Sequence, residues 1–332
     1  CISMRNEILD YVRKANGQFI SGEQISRDLH VSRTAIWKHI NILKERGYIF
    51  ESSTRKGYRL IYAPNLLTPL EIDSALHTET FGRHVVYLSS TTSTNEEAKK
   101  IAREGAEEGT IVVAEEQTGG RGRLTRSFYC PFAKGIWFTL ILRPKFFPLE
   151  ASKCTLMAAV GVCRGIRRLG LQDAGIKWPN DILYHGKKLV GILTEMSASM
   201  EKIDYIIIGA GINTGMKKSE FPELFRESAT SFLAEGIDVS RKDLLAAILA
   251  ELEKEYEIAQ TQGFDKVLED WKALSITLGQ DVRVIMGEEN YTGKAVDIDK
   301  DGCLLVDTGE KVERVIAGDV SIRPIDAPLP KR

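Results

Sequence analysis

The chain has 332 residues, 43% of them hydrophobic and 27% charged, with a formal net charge of −1, which excludes a disordered or fibrous protein and predicts two or three domains. It contains no run of about 18 apolar residues, and its start (Cys1-Ile2-Ser3-Met4-Arg5) lacks the basic and apolar stretches of an export signal, so a cytoplasmic protein with no membrane partner is expected. The five cysteines (Cys1, Cys130, Cys154, Cys163, Cys303) are scattered and in no Cys-x-x-Cys spacing, which argues for reduced thiols against a disulfide framework or a structural zinc site. Met4 is the first methionine, and Cys1 to Ser3 ahead of it are either native residues or a remnant.

In chain order, the first 62 residues read as three short amphipathic helices and a hairpin. A helix near Arg5 to Ala15 places Ile8, Leu9 and Val12 on one face. Ser21 and Gln24 have capping-box spacing at the head of a second helix that runs to about Leu29. Ser32 heads a third, in which Ile36, Ile40 and Leu43 form the buried stripe. At about 100° per residue, Thr34, Lys38 and Asn41 fall on its opposite face. The wing of a winged helix-turn-helix follows, Tyr48 to Glu51 and Gly57 to Ile61, with Arg55 and Lys56 at its tip. Residues 1–62 carry eleven Lys/Arg against six Asp/Glu, a balance of +5 that leaves −6 for the other 270. A basic end on an acidic body points to a segment that meets a polyanion, although an ordinary three-helix bundle with a solvated basic face shares the helical pattern.

Past a linker at Ala63-Pro64-Asn65, strand-like runs (His84 to Leu88, Thr110 to Glu115, Gly135 to Leu142, Lys188 to Met196, Ile203 to Gly209) mix irregularly with helices near Asn95 to Glu104 and Glu150 to Leu169. That mixture predicts an α+β domain with a mixed or largely antiparallel sheet. Helical spacing returns at Ser240 to Gln260 and Phe264 to Leu274. After Gly279, short alternating strands (Val282 to Ile285, Thr292 to Ile298, Leu304 to Val306, Val312 to Ile316) read as a small β-barrel. The expected class is multidomain α+β, divided as 1–63, 64–274 and 275–332.

The segment Gly119-Gly120-Arg121-Gly122-Arg123-Leu124-Thr125-Arg126 follows a strand with three glycines and three arginines. Glycines let backbone amides approach a ligand, and guanidiniums offer forked donors to phosphate or carboxylate, so the loop suits an anion; a solvated basic turn has the same composition. It is not a Walker loop, because no Gly-Lys-Ser/Thr follows. Gly209-Ala210-Gly211-Ile212-Asn213-Thr214-Gly215 fails as a dinucleotide fingerprint, since its third glycine is misplaced and no helix follows.

Five ordered blocks carry a family resemblance: Ser93-Thr94-Asn95; Gln117 with Gly120-Arg121-Gly122-Arg123; Lys177-Trp178-Pro179-Asn180-Asp181; Lys188-Leu189-Val190-Gly191-Ile192-Leu193; and Gly209-Ala210-Gly211-Ile212-Asn213. In this order they resemble the signature blocks of biotin protein ligases. Ser32 to Ile40 and Lys56 to Leu60 look like the DNA-binding domain of the biotin operon repressors, and Ser275 to Pro324 looks like their C-terminal SH3-like β-barrel. The resemblance implies biotin contacts at Ser93, Thr94, Asn95 and Gln117, neutral donors and acceptors suited to a neutral ureido ring. It implies a loop closing over biotin and adenylate at Gly120, Arg121, Gly122 and Arg123, with Arg126 in support, and a catalytic role for Lys188 near the biotin carboxylate and α-phosphate. Lys177 belongs to a second lysine block. Asn180, Asp181 and Asn213 become candidates for Mg²⁺ or phosphate contacts, and Phe128 and Phe221 for the adenine lid.

By the same resemblance the substrates are biotin and ATP with Mg²⁺, and the acceptor is the biotin carboxyl carrier protein of acetyl-CoA carboxylase. Biotinyl-5'-AMP serves as corepressor of a homodimer on operator DNA, contacted by Arg33, Thr34, Lys38, Asn41, Arg55 and Lys56. Two departures stand out: Leu124-Thr125-Arg126 replaces a second Arg-Gly-Arg, and Phe128 stands where tryptophan is common. A catalytically inactive biotin-sensing repressor and a lipoate or octanoate ligase remain as alternatives.

Overall fold

Ser21 and Ser32 each accept a hydrogen bond from the backbone N–H three residues on, and these two caps fix where the second and third helices begin. The computed structural model describes residues 2–122, 127–317 and 320–326. Its first unit, Cys1–Ala75, contains α1 (Ile2–Lys14), α2 (Gly22–Asp28), α3 (Arg33–Glu45), the antiparallel hairpin β1 (Ile49–Ser53) and β2 (Gly57–Tyr62), and α4 (Pro69–Ala75). The capping box at α2 is half made: Ser21 receives the Gln24 amide, while the Gln24 side chain donates to the Tyr11 hydroxyl instead of reaching back. Ile8, Leu9 and Val12 meet Ile25, Ile36, Ile40, Leu43, Phe50 and Leu70 in one core, each large aliphatic side chain there contributing roughly 1.5–3 kcal/mol. Arg13 Nη2 reaches both oxygens of the buried Glu71 at 2.8 and 2.9 Å, tying α4 to α1. The unit thus runs past the Ala63-Pro64-Asn65 linker, and α4 was not expected from sequence.

The second unit, Leu76–Arg332, is built on a seven-stranded sheet. Its elements are β3 (Val85–Leu88), α5 (Thr94–Arg103), β4 (Ile111–Ala114), β5 (Gly135–Leu142), α6 (Cys154–Arg168, entered by a 3₁₀ turn), β6 (Gly175–Lys177), β7 (Asp181–Tyr184), β8 (Lys187–Ala198), β9 (Ile203–Asn213), α7 (Arg241–Gln262) and α8 (Asp265–Leu274). The sheet order is β3-β4-β5-β9-β8-β7-β6, with β3 and β4 parallel and the other neighbours antiparallel, a mixed sheet as expected. Odd-numbered residues of β5 and β9 face α5: Ile141, Tyr205 and Ile207 pack with Ala98 and Ala102. Farther along the same face the side chains shrink to Gly209 and Gly211, and Gly191 lies opposite Gly211. Elsewhere in the unit, α6 and α7 run in close contact. A Cβ on Gly161 would come within 2.6 Å of Leu252, and one on Gly165 within 2.6 Å of Ile248.

Beyond α8, β10 (Asp281–Met286), β11 (Glu289–Ile298), β12 (Leu304–Asp307), β13 (Val312–Val315) and β14 (Val320–Pro324) form an antiparallel sheet in the order β13-β12-β11-β10-β14. The described residues show this five-stranded sheet, not a closed barrel. Two hydrogen bonds join it to the segment between β6 and β7: the Trp178 amide donates to Thr277 Oγ1 at 2.9 Å and its indole to the Gly302 carbonyl at 3.1 Å. A third, from the Trp271 indole of α8 to the Pro179 carbonyl, holds the same segment from below.

Candidate functional site

Three short segments beyond the ends of β3, β4 and β5 gather most of the conspicuous residues. Thr91 pairs with Gln117 and Gln117 with Cys130, so that Ser93-Thr94-Asn95 is brought beside Gln117 and Gly120. Gly119 and Gly120 are required by this crowding: a Cβ on the first would lie 2.7 Å from Thr92 and on the second 2.7 Å from the Phe128 carbonyl. At the head of α5 the Ser93 hydroxyl takes no bond from the helix's first turn, and Ser93, Thr94 and Asn95 are all buried. Gln117 Oε1 accepts from the Thr94 amide at 2.8 Å and the Thr94 hydroxyl at 3.0 Å. Its amide nitrogen donates to Cys130 Sγ at 3.2 Å, which fixes which end of the side chain is which. Burial pushes the Cys130 thiol up to about 12, a neutral neighbour for a neutral amide.

Asn95 is held as firmly. The Thr139 hydroxyl donates to its Oδ1 at 2.6 Å, and its Nδ2 donates to Glu195 Oε2 at 2.9 Å. Glu195 in turn receives Lys99 Nζ at 3.1 Å, and Glu96 first, then Glu195, hold the Lys99 ammonium pKa above its ordinary value. A Cβ on Gly209 would fall 2.1 Å from Asn95 Oδ1. The result is a wall of uncharged amides and hydroxyls whose orientations are set by their hydrogen bonds to one another and to Glu195 and Cys130.

Next to it lies a floor of two opposed glycines. The Phe128 ring covers both: a Cβ on Gly191 would sit 3.0 Å from it and on Gly211 2.7 Å. Trp137 meets its edge, with ring centroids 6.0 Å apart, and Lys188 Nζ stands 5.7 Å from its centroid. Lys188 is half-buried on β8, with Nζ 3.3 Å from Asp181 Oδ1 across the β7–β8 hairpin. Asn180 and Asn213 are buried; each donates its amide N–H to a backbone carbonyl (Ile192 at 3.0 Å, Thr230 at 3.1 Å), and each leaves Oδ1 without a partner. A free amide oxygen accepts from a donor or a cation.

Lys177, on β6, pairs in register with Asp181 of β7, at the margin of this group. Phe221 is buried with Cys130, Trp137 and Met216, a core position with Phe128 against it. Arg121 is exposed and pairs with Ser127. Arg123 and Arg126 lie outside the described residues. Four contributors were missed in the sequence: Cys130, Thr139, Glu195 and Trp137. Thr139 had a signal, the lone hydroxyl in the apolar run Gly135 to Leu142.

In the first unit, Arg33, Thr34 and Lys38 are exposed along α3 while Asn41 is half-buried. Arg55 and Lys56 are exposed in the β1–β2 turn, whose Ser53 hydroxyl accepts from both their amides. Lys56 and Arg59 lie over the Phe19 ring, at 5.6 and 4.8 Å, a stacking arrangement that orders long basic side chains.

Three family models match the chain: the biotin/lipoate A/B protein ligase family over residues 87–213, an HTH domain over 5–59, and the biotin protein ligase C-terminal domain over 277–323. The chain is 40% identical to the bifunctional ligase/repressor BirA of Bacillus spizizenii over 96% of its own length and 99% of that protein. It is 31% identical to the bifunctional ligase/repressor BirA of Escherichia coli, over 93% of this chain and 94% of that one. Among solved structures it is similar to a biotin protein ligase from Aquifex aeolicus in complex with biotin and ATP, at 28% identity and a TM-score of 0.63, covering 73% of this chain and 99% of that chain.

Proposed function

Because the chain belongs to the family of bifunctional biotin ligase/repressors, we propose that it joins biotin to a lysine of a biotin carboxyl carrier protein at the expense of ATP, and that its biotinyl-5'-AMP form represses transcription. The observation that carries this reading is the pairing of a wall of neutral, pre-oriented amides and hydroxyls with the Lys188 ammonium beside a glycine floor. The wall suits the ureido ring of biotin, which needs matched donors and acceptors and no charge. The ammonium suits the place where charge changes.

In the first step the biotin carboxylate attacks the α-phosphorus of ATP and pyrophosphate leaves. In the second, the carrier lysine amine attacks the biotinyl carbonyl of the mixed anhydride and AMP leaves. Ser93, Thr94, Asn95 and Gln117 orient biotin, and Lys188 stabilises the phosphoryl transition state. Phe128, lying on Gly191 and Gly211, supplies a flat apolar face for adenine. Gly120, Arg121 and Gly122 border the pyrophosphate side; the resemblance adds Arg123 and Arg126 there. Mg²⁺ typically binds through one or two carboxylates and the substrate's own phosphates, which fits Asp181 and the free Oδ1 atoms of Asn180 and Asn213. When bound, that ion neutralises phosphate charge.

We read the C-terminal sheet as the counterpart of the SH3-like barrel that the resemblance implies, and its neighbours Thr277 and Gly302 hold Trp178. The protein works in the cytoplasm, where carrier and operator are both found. One winged helix reads a short half-site, so repression uses a homodimer formed on loading with the adenylate, its α3 helices and wings on the two halves of a palindrome. Neither an inactive sensor nor a lipoate ligase is favoured, given similarity to bifunctional relatives along nearly the full chain. The test is direct: incubate the protein with biotin, ATP-Mg²⁺ and a carrier domain and weigh the carrier by mass spectrometry. A gain of one biotin less water is expected, and an unchanged carrier overturns the reading.

A further inference from the structure

Among the large apolar side chains that the DNA-binding unit leaves in water, Ile49, Ile61, Tyr62 and Trp37, one is an indole. Trp37, on α3, is 55% exposed, whereas Trp137 and Trp271 are fully buried and Trp178 nearly so. Tryptophan is normally highly buried, so an indole standing in solvent is informative. Its place on the helix is specific. Thr34, Trp37, Lys38 and Asn41 recur at i, i+3, i+4 and i+7, one stripe turned away from the buried Ile36, Ile40 and Leu43. With Arg33, Thr34 and Tyr58 the indole lines a cleft of about 280 Å³ between α3 and β2.

We propose that this cleft reads a thymine: the Trp37 indole packs on the 5-methyl group at a base edge in the major groove, and Arg33 and Lys38 neutralise flanking phosphates. Trp37 is then a sequence-specificity determinant of operator binding. The proposal rests on the DNA-binding reading of this unit and deepens it. The partner follows from charge, since the cleft's lining has a guanidinium and no carboxylate, and the surrounding 62 residues carry +5. The group it takes follows from shape and polarity, because the thymine methyl is the one apolar group that the base edges of duplex DNA present in the major groove. The N-terminal half of a recognition helix, where Trp37 lies, is the part that meets bases.

The test begins with a duplex selected from random-sequence DNA by the full-length protein in the presence of biotin and ATP-Mg²⁺. Each thymine of the selected site is replaced singly by deoxyuridine, which removes the methyl and nothing else. Wild type should lose about fourfold in affinity at one thymine of each half-site, the worth of one buried methyl. Trp37→Ala should bind the parent duplex at least tenfold more weakly and be indifferent to deoxyuridine at that thymine, with Trp37→Phe between the two. The salt slope should not change, because no phosphate contact is removed, and carrier biotinylation should stay at the wild-type rate. The proposal is overturned if Trp37→Ala binds as wild type does, or if no thymine methyl matters more to wild type than to the variant. Loss of carrier biotinylation with DNA affinity intact would likewise overturn it, by assigning the cleft to a protein partner. If wild type selects no duplex at all, the DNA-binding reading itself falls, an outcome distinct from failure of the thymine contact.

Discussion

Replacing Lys188 by alanine removes an ammonium that stands at the glycine floor. The Lys188 side chain is partly exposed, and its Nζ lies 3.3 Å from Asp181 Oδ1. A unit charge about 4 Å from a phosphate oxygen is worth roughly 4 kcal/mol at an effective dielectric of about 20. Most of that attraction exists already in bound ATP, whose α-phosphate is anionic, and only the part that grows in the transition state alters the rate. Removing a donor aimed at developing charge costs about 2.7–4 kcal/mol, or 10²–10³ in kcat. The solvent exposure of Nζ and its carboxylate neighbour place Lys188 toward the lower end, about 10². Biotin affinity should fall far less, because the ureido contacts proposed for Ser93, Thr94, Asn95 and Gln117 do not involve Lys188. Pyrophosphate release measures the first quantity and calorimetric titration of biotin the second. Lys188→Arg should recover part of the rate, since the charge persists but the compact ammonium does not. Pyrophosphate release by Lys188→Ala within fivefold of wild type would refute the role.

Burial raises the Cys130 thiol to about 12 and the Cys163 thiol to about 11. Because these folded-state values lie above the unfolded one near 9, the unfolded chain loses these protons first, and stability should fall as pH rises from about 9 to about 11, by about 1.4 kcal/mol per pH unit per thiol; a chemical-denaturation midpoint that is flat across that window would contradict their burial. Gly161→Ala pushes a Cβ to within 2.9 Å of the Leu252 backbone as well as its side chain, an overpacking that should cost about 1–3 kcal/mol and several degrees of Tm by scanning calorimetry. Arg55→Ala with Lys56→Ala should weaken operator binding and reduce its salt slope by about two. Carrier biotinylation by that double variant should be untouched, and an unchanged slope in salt titrations would remove the wing from the interface.

Local signals carried the sequence reading far. Ser21 and Ser32 announce two helices, the apolar run Gly135 to Leu142 announces β5, and no α-helix follows the Gly209 to Gly215 motif, whose residues Gly209 to Asn213 belong to β9. What escaped it was nonlocal. The strands β6 and β7 are three and four residues long and owe their existence to the β8 edge and to the Trp178 and Trp271 bonds, which no window around them reveals. The β14 strand is defined by its register on β10, and α4 by the Arg13–Glu71 pair. Within the candidate site, the motif residues Thr94, Asn95, Gln117 and Lys188 were conspicuous, but the groups that set their orientation, Cys130, Thr139 and Glu195, came from separate strands or loops with no periodic mark. Nothing in the sequence around Trp37 separates it from a core indole; its exposure on α3 does.

The distribution of the four tryptophans gives the wild-type protein two separate optical channels. Trp37 emits from water, at long wavelength and open to collisional quenchers, while Trp137, Trp178 and Trp271 emit from apolar surroundings that iodide cannot enter. Of the buried three, Trp137 lies against the Phe128 ring above the glycine floor. The Trp137 share of the shielded blue emission therefore responds to events at the proposed ligation site, and the quenchable red emission responds to what covers α3. One titration followed at two wavelengths, without any dye or tag, can time the filling of one unit against the engagement of the other.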